Sequence, residues 1–261
     1  MKKLLFIFIL YFMTNPAIMA DEAKLTSNPV SISNDDYDDL DFLDDDDGDE
    51  LSEVTTIKAP ALRDPLKFIN KPIFKLNLLF YKYLGKPLAQ GWQIVVPKSA
   101  RTGLNNAFRN LGYPLRASAC VLQWRWHDAG SETIRFVANT SGGLLGFRDI
   151  AAKGSNGIQP VFEDFGQAMG SWGLGHGFYI VLPLLGPSSL RDGIGWYGGT
   201  FVHPYFFVDD WLVTLALGGT DKLNKLSFQY KDIDIALEGS LDPYAAAKDF
   251  YNQSRQKEIE E

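Results

Sequence analysis

The chain has 261 residues, 46% of them apolar, enough for one large packed domain or two small ones. Its formal charge of −7 comes from one place: residues 35–53 hold twelve carboxylates and no Lys or Arg, leaving the rest mildly basic at about +5. No Lys/Arg cluster or basic helix stands out, which excludes nucleic acid as the expected partner, and a lone cysteine, Cys120, excludes an intramolecular disulfide.

In chain order, Lys2 and Lys3 precede an apolar run over residues 4–13, and Ala17 and Ala20 offer a cleavage site. The run is shorter than the roughly 20 residues of a spanning helix, so residues 1–20 read as a secretory signal peptide. Residues 21–60 are polar, acidic and without periodicity, and are expected to be a disordered linker. Their aspartate run lacks the alternating spacing of a calcium loop.

A folded body is expected over 61–250, with a polar tail over 251–261. Asp64-Pro65 reads as a helix N-cap with proline at the first helical position. The stretch that follows, from Phe68 through Ile73, Phe74, Leu79 and Tyr83 to Leu84, is too continuously apolar for an ordinary surface helix. It predicts a helix buried on most sides or facing lipid. Pro97 starts a second helix stopped by Gly112, a third is expected from Pro114 through Trp126, and a fourth carries Ile134, Phe136 and Val137 up to Ser141-Gly142-Gly143.

From Phe165 to Gly199 glycines are dense, and Gly166, Gly170, Gly173, Gly175 and Gly177 cannot share one stable helix. Phe178 to Leu182 reads as a strand, and Ser188 or Ser189 as the cap of a helix carrying Leu190 and Ile194. Asp242-Pro243-Tyr244 opens an alanine-rich helix to about Arg255. The expected fold is mainly α, one helical domain with one short irregular hairpin.

No catalytic pattern emerges. His127, His176 and His203 are scattered and form no metal motif. Ser188 or Ser189 with His176 and Asp192 allows a hydrolase triad on paper, but Gly186-Pro187-Ser188-Ser189-Leu190 is not a nucleophile elbow. Gly173-x-Gly175-x-Gly177 lacks the strand–loop–helix setting of a phosphate loop and reads as a flexible element. No cofactor or metal is implied.

Several blocks, in order, resemble the MlaA (VacJ) family of outer-membrane lipid-asymmetry proteins. Asp64-Pro65-Leu66 with Asn70-Lys71-Pro72-Ile73-Phe74-Lys75-Leu76-Asn77 is similar to the family's DPLExFNRxxFxFN opening. Val96-Pro97, then Arg101-Thr102-Gly103-Leu104-Asn105, Arg135-Phe136 and Gly142-Gly143-Leu144 follow. The longest block runs from Glu163-Asp164-Phe165-Gly166-Gln167 to Leu190-Arg191-Asp192.

The resemblance implies a ring-shaped helical body embedded in the inner leaflet of the outer membrane, on its periplasmic face. It implies association with a trimeric porin and delivery of mislocalised phospholipid to a soluble periplasmic carrier. Within it, Asn70 and Asn77 are the candidate channel residues of the opening helix, Gly173, Gly175 and Gly177 a mobile loop, and Arg191 and Asp192 polar groups beside the channel. Two departures stand out: no cysteine near the signal end can carry a lipid anchor, and Lys67 and Ile69 replace acidic and aromatic residues of the opening motif. The rival readings are a porin-associated structural protein and, less favoured, a phospholipase.

Overall fold

The computed structural model describes residues 62–153 and 157–260. The expected signal, the acidic linker and its aspartate run lie outside the described residues. Helix α1 spans Lys67–Phe80, a π-helical segment Tyr81–Gly85 follows, and α2 spans Lys86–Val95. Pro87 explains the widened turn: it has no N–H to give Tyr83, and its ring crowds that carbonyl, so the ladder loosens there.

Helices α3 (Lys98–Leu111), α4 (Tyr113–Leu122) and α5 (Trp126–Ser141) come next, then a short α6 (Phe165–Ser171). Strands β1 (Tyr179–Leu182) and β2 (Gly186–Ser189) pair antiparallel in one hairpin, with Tyr179 opposite Ser189. Helix α7 (Leu190–Thr200), a 3-10 turn (Pro204–Phe207), α8 (Trp211–Glu238) and α9 (Pro243–Glu260) complete the body. The mainly helical fold with one hairpin is as expected.

Several local expectations hold. Pro97 and Gly112 bound α3, Ser189 caps α7 by accepting from the Asp192 N–H, and the Asp242 carboxylate accepts from the N–H groups of Tyr244 and Ala245 at the start of α9. Others are corrected. Asp64 caps nothing, because α1 begins only at Lys67, with Leu66 at its N-cap, and the carboxylate is taken by the Asn70 amide and the Tyr244 hydroxyl instead. The third helix stops at Leu122: Trp124 adopts φ 61°, reversing the chain so that the Arg125 N–H reaches the Cys120 carbonyl. The polar tail expected from residue 251 is the last part of α9, which runs to Glu260 and buries Tyr251, Asn252 and Arg255. Helix α8, 28 residues long, was not anticipated.

The principal packing contacts form a closed circuit. Helix α1 meets the π segment, which meets α2; α2 packs on α8, α8 on α3, and α3 on α4 and α5. Helix α4 packs on α6, α6 on α7 and α9, both of these on β2, and β1 closes the circuit against α1. The body is therefore a ring of elements, each packed mainly on its neighbours along the circuit. At the α6–α7 joint the backbones nearly touch, since a Cβ on Gly195 would lie 2.3 Å from the Gly166 nitrogen; only glycine fits there.

The principal apolar cluster is small and sits where the circuit closes: Leu62 and Phe74 against Tyr179 and Val181 of the hairpin and Tyr244 and Tyr251 of α9. Phe74 and Tyr179 each meet the Tyr244 ring edge-on, at centroid separations of 5.5 and 6.0 Å.

Candidate functional site

Polarity in this ring is inverted. Large apolar side chains lie exposed on element after element: Phe68 and Leu79 on α1, Tyr83 on the π segment, Ile94 on α2, Ile134 on α5 and Ile194 on α7. Ile94 is 87% exposed. The buried set is instead largely polar, including Asn70, Arg101, Glu132, Arg135, Asn224, Ser227, Asp192 and Arg255. A soluble protein normally buries the first kind and exposes the second. No helix among the described residues is long and apolar enough to cross a membrane.

The buried polar groups sit at the joints. Asn70 and Asn77, two helical turns apart on α1, sew that helix to the free edge of the hairpin. The Asn70 amide donates to the Tyr179 carbonyl at 3.0 Å while its oxygen accepts from the Val181 N–H at 2.9 Å. Asn77 repeats the pattern one step on, donating to the Leu182 carbonyl at 2.8 Å and accepting from the Leu184 N–H at 2.6 Å. Each side chain thus stands in for a neighbouring strand, continuing along an edge that the Arg63 carbonyl begins by accepting from the Tyr179 N–H at 2.9 Å. Leu184 is held at φ 64°, a conformation unusual for leucine.

Across the ring, Tyr81 donates to the Tyr230 carbonyl at 2.8 Å and to Asp234 at 2.9 Å, fixing the π segment on α8. Asn224 of α8 accepts from the Trp92 indole at 3.1 Å and donates to the Arg101 carbonyl at 2.9 Å. Arg101 in turn reaches the Ser227 hydroxyl at 2.9 Å. Three helices, α2, α3 and α8, are joined by these side chains. Arg116 of α4 pairs with the buried Glu132 of α5 at 2.9 Å. Asp149 gathers Arg109 and Arg135, the latter at 2.7 Å. Burial pushes the Asp149 carboxyl upward, but the hydrogen bonds from Arg135 and Asn139 and the charge of Arg109 outweigh it and hold it below the ordinary range.

Arg191 and Asp192 belong to the joint of α6, α7 and α9. Arg255 of α9 is almost fully buried, and its Nε donates to Asp192 at 2.8 Å while its Nη1 meets Asp164 at 3.0 Å and Glu258 at 2.7 Å. Arg191 reaches the other Asp192 oxygen at 2.8 Å, and the Tyr251 hydroxyl donates to the same carboxylate as Arg255. Burial favours the neutral acid, yet the charge and hydrogen bond of Arg255, then Arg191 and Tyr251, hold Asp192 well below the usual carboxylate range. With Ser189 spent on capping and Asp192 clasped by two guanidinium groups, the paper triad with His176 is not assembled as one.

Gly173, Gly175 and Gly177 occupy the exposed loop between α6 and β1. Gly173 and Gly177 have φ of 84° and 73°, and added Cβ atoms at Gly173 and Gly175 would meet open space. The loop is tied within its length as well as at its start: the Leu174 carbonyl, between Gly173 and Gly175, accepts from Arg191 at 3.3 Å, and the Trp172 indole donates to the Leu122 carbonyl at 3.0 Å. The structure therefore brings Arg191 to the glycine loop between Gly173 and Gly175, and places Asn70 and Asn77 on the far side of the hairpin. The joints on α8 and Arg255 were missed from sequence; the only signal was polar residues recurring at helical spacing.

An apolar-surfaced, polar-jointed ring of helices defines a class of protein built for contact with lipid rather than for solution alone. Residues 62–258 match the family described as MlaA lipoprotein, and the chain belongs to that family. It is 31% identical over 194 residues to the intermembrane phospholipid transport system lipoprotein MlaA of Escherichia coli K12, covering 73% of this chain and 76% of that one. Identity is 28% over 213 residues to the protein of the same name in Haemophilus influenzae, covering 78% of this chain and 82% of that one. A protein of Rickettsia bellii shares 29% over 228 residues, spanning 85% of this chain and 87% of its own. A chain solved in work on the structural basis for maintenance of bacterial outer membrane lipid asymmetry superposes with TM-score 0.67 at 27% identity, covering 75% of this chain and 98% of that one.

Proposed function

We propose that this protein withdraws mislocalised phospholipids from the outer leaflet of the outer membrane and passes them to a soluble periplasmic carrier. It does so without bond chemistry, as a helical ring set in the periplasmic leaflet beside a trimeric porin. The observation that carries this reading is the inverted polarity of the ring: apolar side chains exposed around the circuit and polar side chains buried at most of its joints. A phospholipid moving between leaflets must carry a charged head past hydrocarbon, where bare charge is expensive. A closed ring lowers that barrier by offering polar groups inside while its outer face stays compatible with acyl chains. The family's transport-system relatives support the same reading.

Within it, Asn70 and Asn77 hold the opening helix against the hairpin and keep that wall continuous. Gly173, Gly175 and Gly177 give the loop its freedom to gate, and Arg191 and Asp192 hold the pedestal from which the loop projects. The test is the phospholipid content of the outer leaflet with and without the gene. A rise on deletion, reversed by the wild-type chain, supports retrieval; an unchanged outer leaflet favours a structural role beside the porin instead.

A further inference from the structure

Helix α1 carries a second feature that the ring does not use. Its inward face is the buried Asn70 and Phe74 with the half-buried Asn77; on the opposite face Phe68, Leu76 and Leu79 are more than half exposed. Between the two faces, four residues apart, run Lys67, Lys71 and Lys75, which helical geometry stacks in one row along a single flank. Together these residues line an open groove along the helix. From Lys67 to Phe80 the helix holds no Asp or Glu to neutralise the row. Lys67 and Lys75 are exposed, and the Lys71 ammonium sits 5.5 Å from the centre of the Tyr244 ring, which steers its stem along the same flank.

A cationic row beside an apolar groove has the shape of one ligand class: an anionic head joined to a hydrocarbon tail. We propose that this flank of α1 is a seat for an anionic phospholipid of the surrounding leaflet. The three ammonium groups take the headgroup phosphate, and Phe68, Leu76 and Leu79 take the acyl chain. This inference rests on the setting of the ring in a leaflet. The seat also fixes orientation, since the lysine flank lies at headgroup level while Phe68, Leu76 and Leu79 reach into hydrocarbon. Lys67 stands where the family's opening motif carries an acidic residue and Lys71 where it carries Arg, so the charge added at Lys67 extends the motif's cation into a row in this chain.

The experiment uses the full chain reconstituted in phosphatidylcholine vesicles containing a trace of a photoreactive acyl analogue, either of phosphatidylglycerol or of phosphatidylcholine. Labelling is mapped by proteolysis. The phosphatidylglycerol probe is expected to label residues 64–82 several-fold more than the phosphatidylcholine probe. That preference should weaken in K67Q/K75Q and vanish in the triple variant, because each ammonium removed takes away attraction for the anionic headgroup. Variants K67Q/K71Q/K75Q and K67Q/K75Q are compared, the second leaving Lys71 over Tyr244 so that a folding defect is separable.

Equal labelling by the two probes, or a preference untouched in both variants, overturns the seat while leaving the transport reading intact. Absence of labelling anywhere on the chain overturns both. Loss of labelling in excess glycerophosphoglycerol or inorganic phosphate would make this a free-anion site and overturn the lipid assignment. A preference seen only after removal of residues 35–53 would mean that the chain's own acidic run fills the row, which also overturns it.

Discussion

The Tyr244 hydroxyl donates a 2.5 Å hydrogen bond to the carboxylate of Asp64, 180 residues earlier in the chain. Asp64 also accepts from Asn70, which reaches the hairpin, so one carboxylate links the start of the body, α1 and α9. The ring is closed by polar contacts at the point where the principal apolar cluster of the described residues lies. Tyr244→Phe keeps the edge-on ring contacts with Phe74 and Tyr179 and removes the hydroxyl alone. It should lower stability by about 1–3 kcal/mol, read as a fall in denaturant midpoint with unchanged slope.

Asn70 and Asn77 perform the same task with different burial. Asn70→Ala leaves the Tyr179 carbonyl and Val181 N–H without their side-chain partner inside the core, and should cost about 2–4 kcal/mol. Asn77→Ala, at the partly open end of the hairpin, should cost about 1 kcal/mol. Denaturation of the two variants under one condition gives the ranking; equal losses would show that burial of the contact does not set its cost.

Arg255 is the pivot of the α6–α7–α9 joint. Arg255→Met leaves Asp164 without its guanidinium and Asp192 with Arg191 alone, and should cost about 3–5 kcal/mol, seen as reduced accumulation and a lower thermal transition. The same joint predicts a pH dependence of two signs. Asp192 is depressed in the folded state, so its contribution is present above the ordinary carboxylate range and is lost as pH falls below about 4. Glu258 behaves oppositely. Burial raises it to about 7, against the pull of Arg255 and with the help of Asp164. The folded protein therefore holds a proton there that the unfolded chain releases, and stability falls as pH rises from about 4.5 through 7. Glu258→Gln should flatten the denaturant midpoint between pH 5 and 8; an undiminished slope would assign the dependence to another group.

Cys120 has no exposed surface, and burial pushes its thiol up to about 12. The native protein should resist maleimide at pH 7 and react fully in denaturant, a thiol count that checks the packing of α4 directly.

The glycine loop carries the gating claim. Gly173→Ala meets open space but must adopt φ 84°, which costs about 1 kcal/mol, whereas Gly175→Ala meets neither obstacle. The double variant should accumulate, and outer-leaflet phospholipid should rise as in the deletion. A normal outer leaflet in that variant would remove the loop from the mechanism.

Much of the fold was legible where local chemistry decides it. Pro97 and Gly112 bound α3, Ser189 caps α7, and Asp242 opens α9, each through a turn-length interaction. Asp64 misled because the same Asp-Pro pair is satisfied by residues 6 and 180 positions away. Helix α8 escaped because its buried face is Asp221, Asn224 and Ser227 while Leu212 and Ile235 are exposed, inverting the pattern that marks a soluble helix. The tail over 251–261 reads as polar for the same reason: Arg255 is the most deeply held charge in its joint, and hydropathy takes it for surface. Asn70, Asn77, Arg191 and Asp192 stand out in the sequence as polar residues in an apolar setting, but their partners, mostly backbone atoms and Arg255, do not.

The central claim is that the exposed apolar side of the ring lies in hydrocarbon. Because Cys120 is buried, a nitroxide attached to Tyr83→Cys, Leu88→Cys or Ile94→Cys reports one site at a time. In outer-membrane lipid vesicles, collision with oxygen should dominate collision with a water-soluble nickel chelate at all three positions. Chelate collisions at the level of a water-exposed site would place the belt in solvent and contradict the account.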